Sequence, residues 1–282
     1  MKKKKTILDF YEMKKKGEQV TWVTAYDFPT ATFAENAGID MILVGDSLGM
    51  VVLGYEGTNA VTMADCISHC QAVRRGAPKT WIVGDMPFMS YQVSDASAVE
   101  NAGRFIKEAA VDCIKLEGGI RVASRIRAIT DAGIPVIGHL GLTPQSSGQL
   151  GGFKAQGRDV KNARLVIEDS LAVEQAGAYA LLLEAVPPEL TKFIQNKLSI
   201  PVYSIGAGPA DGQLMICGDL LGMFQAFTPK FVKKYADVAQ VETDAFKAYI
   251  DDVLTGRFPE DQHVYHITDS VEDFETLFKE YK

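Results

Sequence analysis

The chain of 282 residues is 47% hydrophobic and 23% charged, and its 29 Lys and Arg against 36 Asp and Glu give a net charge of −7. These values are typical of a globular protein with a full core, in one large α/β domain or two smaller ones, and they exclude a disordered or fibrous chain. The acidic balance also argues against nucleic acid as the main partner, and no run of about 18 apolar residues is present to span a bilayer.

Two lysine runs lie within residues 1–20, without an apolar segment long enough for a signal peptide. We interpret this region as a solvated arm followed by a first helix. The alternative, a weak membrane or RNA patch, is disfavoured because the rest of the chain is acidic.

Short apolar runs alternate with longer helical patterns along the chain. The predicted strands are 20–25, 40–45, 80–85, 113–118, 135–140, 180–185, 201–206 and 213–217. Most are continuously apolar, as expected for parallel strands covered on both faces. Helical stretches separate them, and several end in Ala-Gly, at 37–38, 132–133 and 176–177, which is typical of a helix C-terminus.

Eight strands with intervening helices predict an α/β fold of the (β/α)8 TIM barrel type. The alternative, an open doubly wound sheet, would need a Gly-rich phosphate turn after the first strand, where the chain has TAYDFPTA. The eighth strand follows the seventh with little room for a helix. Without a linker or a composition break, we predict one domain over 1–282, with a polar segment at about 263–282 as a tail or a peripheral helix.

The four cysteines, Cys66, Cys70, Cys113 and Cys217, suggest reduced thiols in a cytoplasm. Cys66 and Cys70 flank His69, which resembles half of a metal knuckle. The second ligand pair that such a site needs is missing, so we place both cysteines on one helix face instead.

Polar side chains recur where the predicted strands end, and this end of a (β/α)8 barrel carries the chemistry. They are Tyr26, Asp27, Asp46, Ser47, Asp85, Lys115, Glu117, His139 and Glu184. A single strand-end Asp commonly caps the next helix. Five carboxylates and one lysine on a single rim would be costly to bury unless they are paired or bind a metal. We therefore interpret the rim as the candidate active site.

Asp46, Asp85 and Glu117 form an oxygen-rich set from three neighbouring strands. Such hard ligands select Mg²⁺, which binds through one or two carboxylates and keeps positions for water and substrate. Lys115 points to the same side of its strand as Glu117 and is expected to hold an anionic substrate. The alternative, a Schiff-base lysine, is disfavoured because an acidic neighbourhood keeps the amine protonated.

Glu184 lies between three leucines and the run Ala-Val-Pro-Pro. An apolar setting suits a carboxylate that accepts a proton near neutral pH, so Glu184 is the candidate general base. A salt-bridged structural glutamate is the alternative. Gly-rich stretches at 138–145, 148–158 and 204–213 are candidate substrate loops. The connection of about 20 residues after the fifth strand favours a functional loop or lid.

Long motifs in the sequence resemble the ketopantoate hydroxymethyltransferase family. They are TAYD (24–27), LVGDSLGMVVLG (43–54), HCQAVRRGAP (69–78), DMPFMSY (85–91), IKLEGG (114–119), GHLGLTPQ (138–145), GGFKAQGR (151–158), LLEAVP (182–187), SIGAG (204–208), DGQ (211–213) and TPKFVKKYA (228–236). The resemblance runs from about residue 6 to 266. It implies a (β/α)8 barrel assembled as a decamer, which transfers a hydroxymethyl group from 5,10-methylenetetrahydrofolate to 3-methyl-2-oxobutanoate in pantothenate and coenzyme A synthesis.

The resemblance also implies roles for individual residues. Asp46 and Asp85 would bind Mg²⁺, with Glu117 completing the metal sphere directly or through water. Asp46, Ser47, Asp85 and Lys115 would hold the 2-oxo acid, and Glu184 would be the proton acceptor. His139 and Tyr26 would line the site without an assigned step.

Two other functions fit the same rim. One is a Mg²⁺-dependent lyase or mutase acting on 2-oxo acids, but lyases of the isocitrate type carry a cysteine in a lid loop, and GGFKAQGR has none. The other is a metabolite-binding protein without catalysis, whose sign would be a lost rim acid. All the rim acids are present. A requirement for tetrahydrofolate separates the transferase from the lyase or mutase, and binding of the oxo acid without turnover would indicate the binding protein.

Overall fold

Eight parallel strands close into a barrel in the computed structural model, which describes residues 4–282. Each strand pairs with the next one in the chain, and the eighth pairs with the first. The strands are β1 (Val20–Thr24), β2 (Met41–Val44), β3 (Trp81–Asp85), β4 (Cys113–Glu117), β5 (Val136–Gly141), β6 (Ala180–Glu184), β7 (Val202–Ile205) and β8 (Gly212–Met215). The (β/α)8 prediction is thus confirmed.

Helices connect most of the strands. Those in the described residues are α1 (Ile7–Lys16), α2 (Phe28–Ala37), α3 (Leu48–Val51), α4 (Met63–Gly76), α5 (Asp95–Ala109), α6 (Ala123–Asp131), α7 (Ser147–Leu150), α8 (Val160–Gln175), α9 (Pro188–Lys197), α10 (Cys217–Leu220), α11 (Val238–Leu254) and α12 (Val271–Lys279). The predicted Ala-Gly helix ends are correct, with Gly38 and Gly177 at positive φ. β7 and β8 are joined by residues 206–211 without a helix.

Alternate residues of each strand face opposite sides of the sheet, and this period of two creates two apolar layers. One layer fills the barrel and includes Leu43, Val83 and Ile137, whereas the other packs under the helices and includes Ile114 and Leu116. The inward positions change from apolar to charged near the carboxyl ends of the strands. The alternation therefore directs the rim residues of β3 to β6 toward the barrel axis.

The opposite end of the barrel is closed by aromatic residues and by α1. Phe10 of α1 is fully buried and meets Trp81 edge to face, with ring centroids 5.6 Å apart. Trp81 Nε1 in turn donates to the hydroxyl of Tyr179 at 3.0 Å. Lys14, from the second lysine run, pairs with Asp211 at 2.8 Å. Side chains therefore fill this end of the barrel, and the candidate active site lies at the carboxyl ends of the strands.

The described chain divides into two compact units, one ending at Tyr235 and the other comprising Ala236–Lys282. The barrel belongs to the first unit, and the single-domain prediction stays a prediction. The polar segment 263–282 belongs to the second unit and contains α12. The first lysine run begins in residues 1–3, outside the described residues, and its Lys4 and Lys5 pair with Asp112 and Asp40. Among the helices described, none has the length and apolar character needed to cross a bilayer.

Gly84 provides a stability test close to the rim. A Cβ placed on Gly84 would lie 2.6 Å from Cδ1 of the fully buried Phe105. We expect Gly84→Ala to lower the free energy of unfolding by about 1–3 kcal/mol through overpacking, and Phe105→Ala to lower it by about 3–5 kcal/mol through a cavity. Urea unfolding measures both. The double variant should lose less stability than the sum of the two single losses, because the new methyl group no longer meets the ring. Losses that add exactly would contradict this packing.

Candidate active site

The carboxyl ends of β2 to β6 bring six of the predicted residues to one rim. Asp46, Asp85, Lys115, Glu117 and His139 are all buried, and Glu184 keeps 15% of its side chain exposed. Strand register aligns them, since Asp85 pairs with Lys115 and Glu117 with His139 in the barrel ladder. The predicted set therefore forms one cluster, whereas the roles assigned to its members stay predictions.

Lys115 is at the centre of the acidic half of the site. Its Nζ lies 2.8 Å from Oδ1 of Asp85, and both side chains are at most 3% exposed. Oδ2 of Asp85 accepts from the backbone N–H of Asp46 at 3.0 Å. The ends of β2, β3 and β4 are thus tied together by one carboxylate, which holds the lysine ammonium inside the barrel.

Gln145, in the loop after β5, connects the acidic groups. Its Nε2 donates to Oδ2 of Asp46 at 2.8 Å and to the carbonyl of Met86 at 3.0 Å, and its backbone N–H donates to Oε2 of Glu117 at 3.1 Å. The hydroxyl of Tyr91 donates to Oε1 of Gln145 at 2.7 Å. Tyr91 is the last residue of the motif DMPFMSY, and Gln145 is the last residue of GHLGLTPQ. Neither charge nor spacing in the sequence indicates that these two residues connect the acidic groups.

His139 lies between the acidic cluster and Glu184. Its Nδ1 is 3.2 Å from Oε1 of Glu117 and 3.4 Å from Nζ of Lys115, and its Nε2 is 3.1 Å from Oε2 of Glu184. Burial and the charge of Lys115 lower the pKa of His139, so the ring is neutral at pH 7. Nδ1 faces both the Lys115 ammonium and the Glu117 carboxylate, whereas Nε2 faces Glu184.

Tyr26, Ser47 and Asp27 are divided between the site and its support. The hydroxyls of Tyr26 and Ser47 lie 2.8 Å apart, and Ser47 lines the cavity. Asp27 instead caps α2, where its carboxylate accepts from the N–H of Thr30 at 2.8 Å. His69 contacts the carbonyl of Tyr26, and Cys66 and Cys70 are buried as free thiols on α4.

The crowded carboxylates perturb one another. Burial first, and then the charges of Asp85 and Glu117, raise the pKa of Asp46 well above its usual range. Burial likewise raises the pKa of Glu117 to about 8, against the opposing effect of Lys115. Burial alone would lower the pKa of Lys115, but the three carboxylates outweigh it and raise that pKa. One ammonium therefore faces more negative charge than it can balance.

The donor set suits a hard divalent cation that is completed from outside the protein. Across residues 4–282, no three acidic, His or Cys side chains form a metal site on their own. Within those residues, neither Oδ1 of Asp85 nor Oε1 of Glu117 has a well-formed hydrogen bond, and their remaining contacts are the ion pair with Lys115 and the approach of His139. Mg²⁺ commonly takes one or two carboxylates and fills its other positions with water and substrate oxygens. Asp46 and Asp85, with Glu117 acting through water, fit that pattern.

The rim opens into a cavity of about 920 Å³. Its inner wall carries the cluster described above. Apolar side chains from the loops after β5 to β8 make up much of the rest, namely Leu142, Phe153, Val186, Ile216, Phe224, Phe227 and Phe231. The cavity therefore combines a charged inner end with an apolar outer part, and it is larger than a small oxo acid needs.

A closed barrel with buried acids and a lysine at the carboxyl ends of its strands defines a (β/α)8 enzyme. A model of the ketopantoate hydroxymethyltransferase family matches residues 4–261. The 3-methyl-2-oxobutanoate hydroxymethyltransferase of Alkaliphilus metalliredigens (strain QYMF) is 75% identical over the whole of both chains. That of Clostridium novyi (strain NT) is 52% identical over 96% of this chain and 98% of its own. The chain belongs to the ketopantoate hydroxymethyltransferase family and is a transferase.

Solved structures confirm the fold from a greater distance. A phosphoenolpyruvate phosphomutase from Streptomyces platensis subsp. rosaceus matches with a TM-score of 0.60 and 15% identity, over 98% of this chain and 97% of that one. A phosphonopyruvate hydrolase complex with oxalate and Mg²⁺ matches with the same score and 13% identity, over 98% and 95%. At these identities the likeness concerns the barrel architecture alone.

Proposed function

We propose that this enzyme transfers a hydroxymethyl group from 5,10-methylenetetrahydrofolate to C3 of 3-methyl-2-oxobutanoate, giving 2-dehydropantoate for pantothenate synthesis. The observation that carries the proposal is that a buried lysine and a separate carboxylate line the same cavity. Lys115 is fixed by Asp85, and Glu184 faces the same pocket from β6, next to His139. Relatives of 75% and 52% identity carry the corresponding name.

The side chains divide the work of removing a weakly acidic C3 proton. Lys115 neutralises the carboxylate of the oxo acid, and Ser47 supplies a hydroxyl at the same end. Glu184 accepts the C3 proton, and the His139 ring, whose Nε2 lies 3.1 Å from Oε2 of Glu184, positions that carboxylate. The carbon nucleophile then forms a bond to the methylene carbon supplied by the folate, and both bonds from that carbon to folate nitrogens break. Water provides the hydroxyl oxygen of the product. The second proton of the water and the proton taken from C3 end on the two folate nitrogens, and tetrahydrofolate leaves.

We propose Mg²⁺ as the cofactor, held by Asp46 and Asp85, with Glu117 acting through water. When bound, Mg²⁺ would act as a Lewis acid and stabilise the negative charge that develops on the oxo acid. The protein's own part is to keep the two aspartates in place. Gln145 does so for Asp46, and Lys115 does so for Asp85.

The test is formation of 2-dehydropantoate from 3-methyl-2-oxobutanoate, measured with and without methylenetetrahydrofolate and with and without Mg²⁺. We expect product only when both are present. Cleavage or rearrangement of an oxo acid without folate would instead support the lyase or mutase hypothesis, and binding without turnover would support a metabolite-binding protein.

Lys115→Ala is expected to weaken binding of the oxo acid by about 1.5–3 kcal/mol, because a charge-assisted contact is lost. The KM for 3-methyl-2-oxobutanoate measures this. Borohydride added with substrate should trap no adduct on the wild type, since the three carboxylates keep the amine protonated. A reduced adduct on Lys115 would show that the lysine acts as a nucleophile.

We further propose that the enzyme works in the cytoplasm as a homo-oligomer, a decamer by family resemblance. The support for the compartment is that all four cysteines are free and buried. Light scattering of the purified protein would measure the oligomer, and a monomer that retains full activity would contradict the assembly.

A further inference from the structure

The outer part of the cavity contains a buried carboxylate that the proposed mechanism does not use. Asp219 lies in α10, directly after β8, and its side chain lines the cavity although the residue is only 4% exposed. No other described residue forms a hydrogen bond or an ion pair with its carboxylate. Burial raises the pKa of Asp219, and the more distant charge of Lys234 only partly opposes this. A buried carboxylate without a donor is costly, so it calls for an external partner.

Aromatic rings line the same cavity as this carboxylate, and Phe224 lies beside Gly218, the chain neighbour of Asp219. Phe224 and Phe227 meet edge to face with centroids 5.3 Å apart, and both line the cavity. A Cβ on Gly206 would lie 2.5 Å from the ring of Phe231, so that ring packs directly against the end of β7. Flat apolar walls beside an unpaired acceptor suit a planar heterocycle that carries N–H donors on one edge.

The mouth of the cavity carries the opposite charge. Arg158 and Lys230 are exposed, line the opening, and form no ion pair with another described residue. The cavity therefore presents three kinds of group, namely the buried oxo-acid cluster, a buried acceptor in a wall that also carries aromatic rings, and two exposed cations. Reduced folate offers matching chemistry, with the reactive carbon next to the pterin ring and the carboxylates at the far end.

We propose that the Asp219 carboxylate accepts hydrogen bonds from the 2-amino group and the N3–H of the pterin ring of the folate co-substrate, and that this ring lies against the apolar wall that Phe224 and Phe227 form together. This edge of the pterin presents two parallel donors, which match the two oxygens of a carboxylate. The glutamate carboxylates of the folate then face Arg158 and Lys230. The inference rests on the proposed function, because it assigns the second substrate of that reaction.

The variant Asp219→Asn tests the assignment. Asparagine keeps the size of the side chain but replaces one carboxylate oxygen, an acceptor, with an amide NH₂ group, a donor. That donor then faces an N–H donor of the pterin. We expect the KM for methylenetetrahydrofolate and the Kd for tetrahydrofolate to rise roughly 10- to 100-fold. Exchange of the C3 hydrogen of the oxo acid with deuterium needs no folate and should persist, which also reports a folded inner site. The control is Asp131→Asn, an exposed change at the end of α6, which should leave both constants unaltered.

A tetrahydrofolate analogue without the 2-amino group provides a test that needs no variant. The wild type should bind the analogue at least about 10-fold more weakly than tetrahydrofolate, and Asp219→Asn should lose this discrimination. Equal affinity of the wild type for both compounds, or an unchanged KM in Asp219→Asn, overturns the role of Asp219 while exchange and turnover still support the proposed function. A wild type that neither exchanges the C3 hydrogen nor forms product overturns both.

Discussion

Glu184→Gln is expected to lower turnover roughly 10²- to 10⁴-fold, the effect of losing a positioned general base. The amide keeps the size of the side chain and its place beside His139, but it cannot accept a proton. Wild-type enzyme should exchange the C3 hydrogen of 3-methyl-2-oxobutanoate with solvent deuterium even without folate, because enolate formation precedes attack on the co-substrate. Proton NMR in D₂O follows that signal directly.

The exchange and the turnover should fall together in Glu184→Gln, whereas the affinity for the oxo acid should stay close to that of the wild type. His139→Gln serves as the matched comparison, because it alters the group that contacts Glu184 without removing the carboxylate. Exchange at the wild-type rate in Glu184→Gln would assign the base to another group on the rim, and His139 would be the first to test.

Asp46→Ala and Asp85→Ala are each expected to abolish nearly all activity while leaving the barrel folded. Stabilisation of the enolate charge is worth several kcal/mol, and a loss of that size slows the reaction by roughly 10³-fold or more. Both residues lie at strand ends outside the apolar layers. Calorimetry should show Mg²⁺ binding to the wild type and not to either variant. A variant that keeps most of its Mg²⁺-dependent activity would remove that residue from the metal site.

Mg²⁺ binding should also depend on pH, because protons compete for the same oxygens. In the folded protein the pKa of Asp46 is raised, and the pKa of Glu117 is raised to about 8. A raised pKa means that the folded protein holds the proton more tightly, so ionising these groups as pH rises destabilises the metal-free fold. The rise in Tm caused by Mg²⁺ should therefore be larger above about pH 8 than near pH 6. A shift that is independent of pH would indicate binding elsewhere.

Apolar periodicity was sufficient to predict the barrel, because buried parallel strands are apolar on both faces and leave few other arrangements. Even β8 was predicted from QLMIC, although only residues 206–211 separate it from β7. The sequence left open how the chain after Tyr235 is organised. Only the segment 263–282 could be interpreted, as a tail or a peripheral helix, and the structure forms α12 within it and α11 before it, in a separate unit.

The candidate site was only partly predictable. Charged residues within apolar strands are conspicuous, so Asp85, Lys115 and Glu117 could be selected from the sequence. Gln145 could not, because its importance comes from contacts with Asp46, 99 positions away in the chain. Asp219 could not be selected either, because an Asp near the start of a short helix is commonly interpreted as a helix cap. Asp27 shows the reverse, because it was included on the rim and turned out to cap α2.

Closure of the barrel bears on the order in which the protein forms during synthesis. The site side chains come from β2 to β6, whose ladders join strands that are neighbours in the chain. The closing seam instead joins Val20–Val23 to Gly212–Met215, and the backbone N–H of Val20 donates to the carbonyl of Asp211 at 3.0 Å. A growing chain therefore exposes the open edges of β1 and its latest strand until residue 215 has left the ribosome. The strands that carry the acidic rim are synthesised before β8, so the seam, a pairing of high contact order, can close only after them, and the two edge strands are open to aggregation until it does.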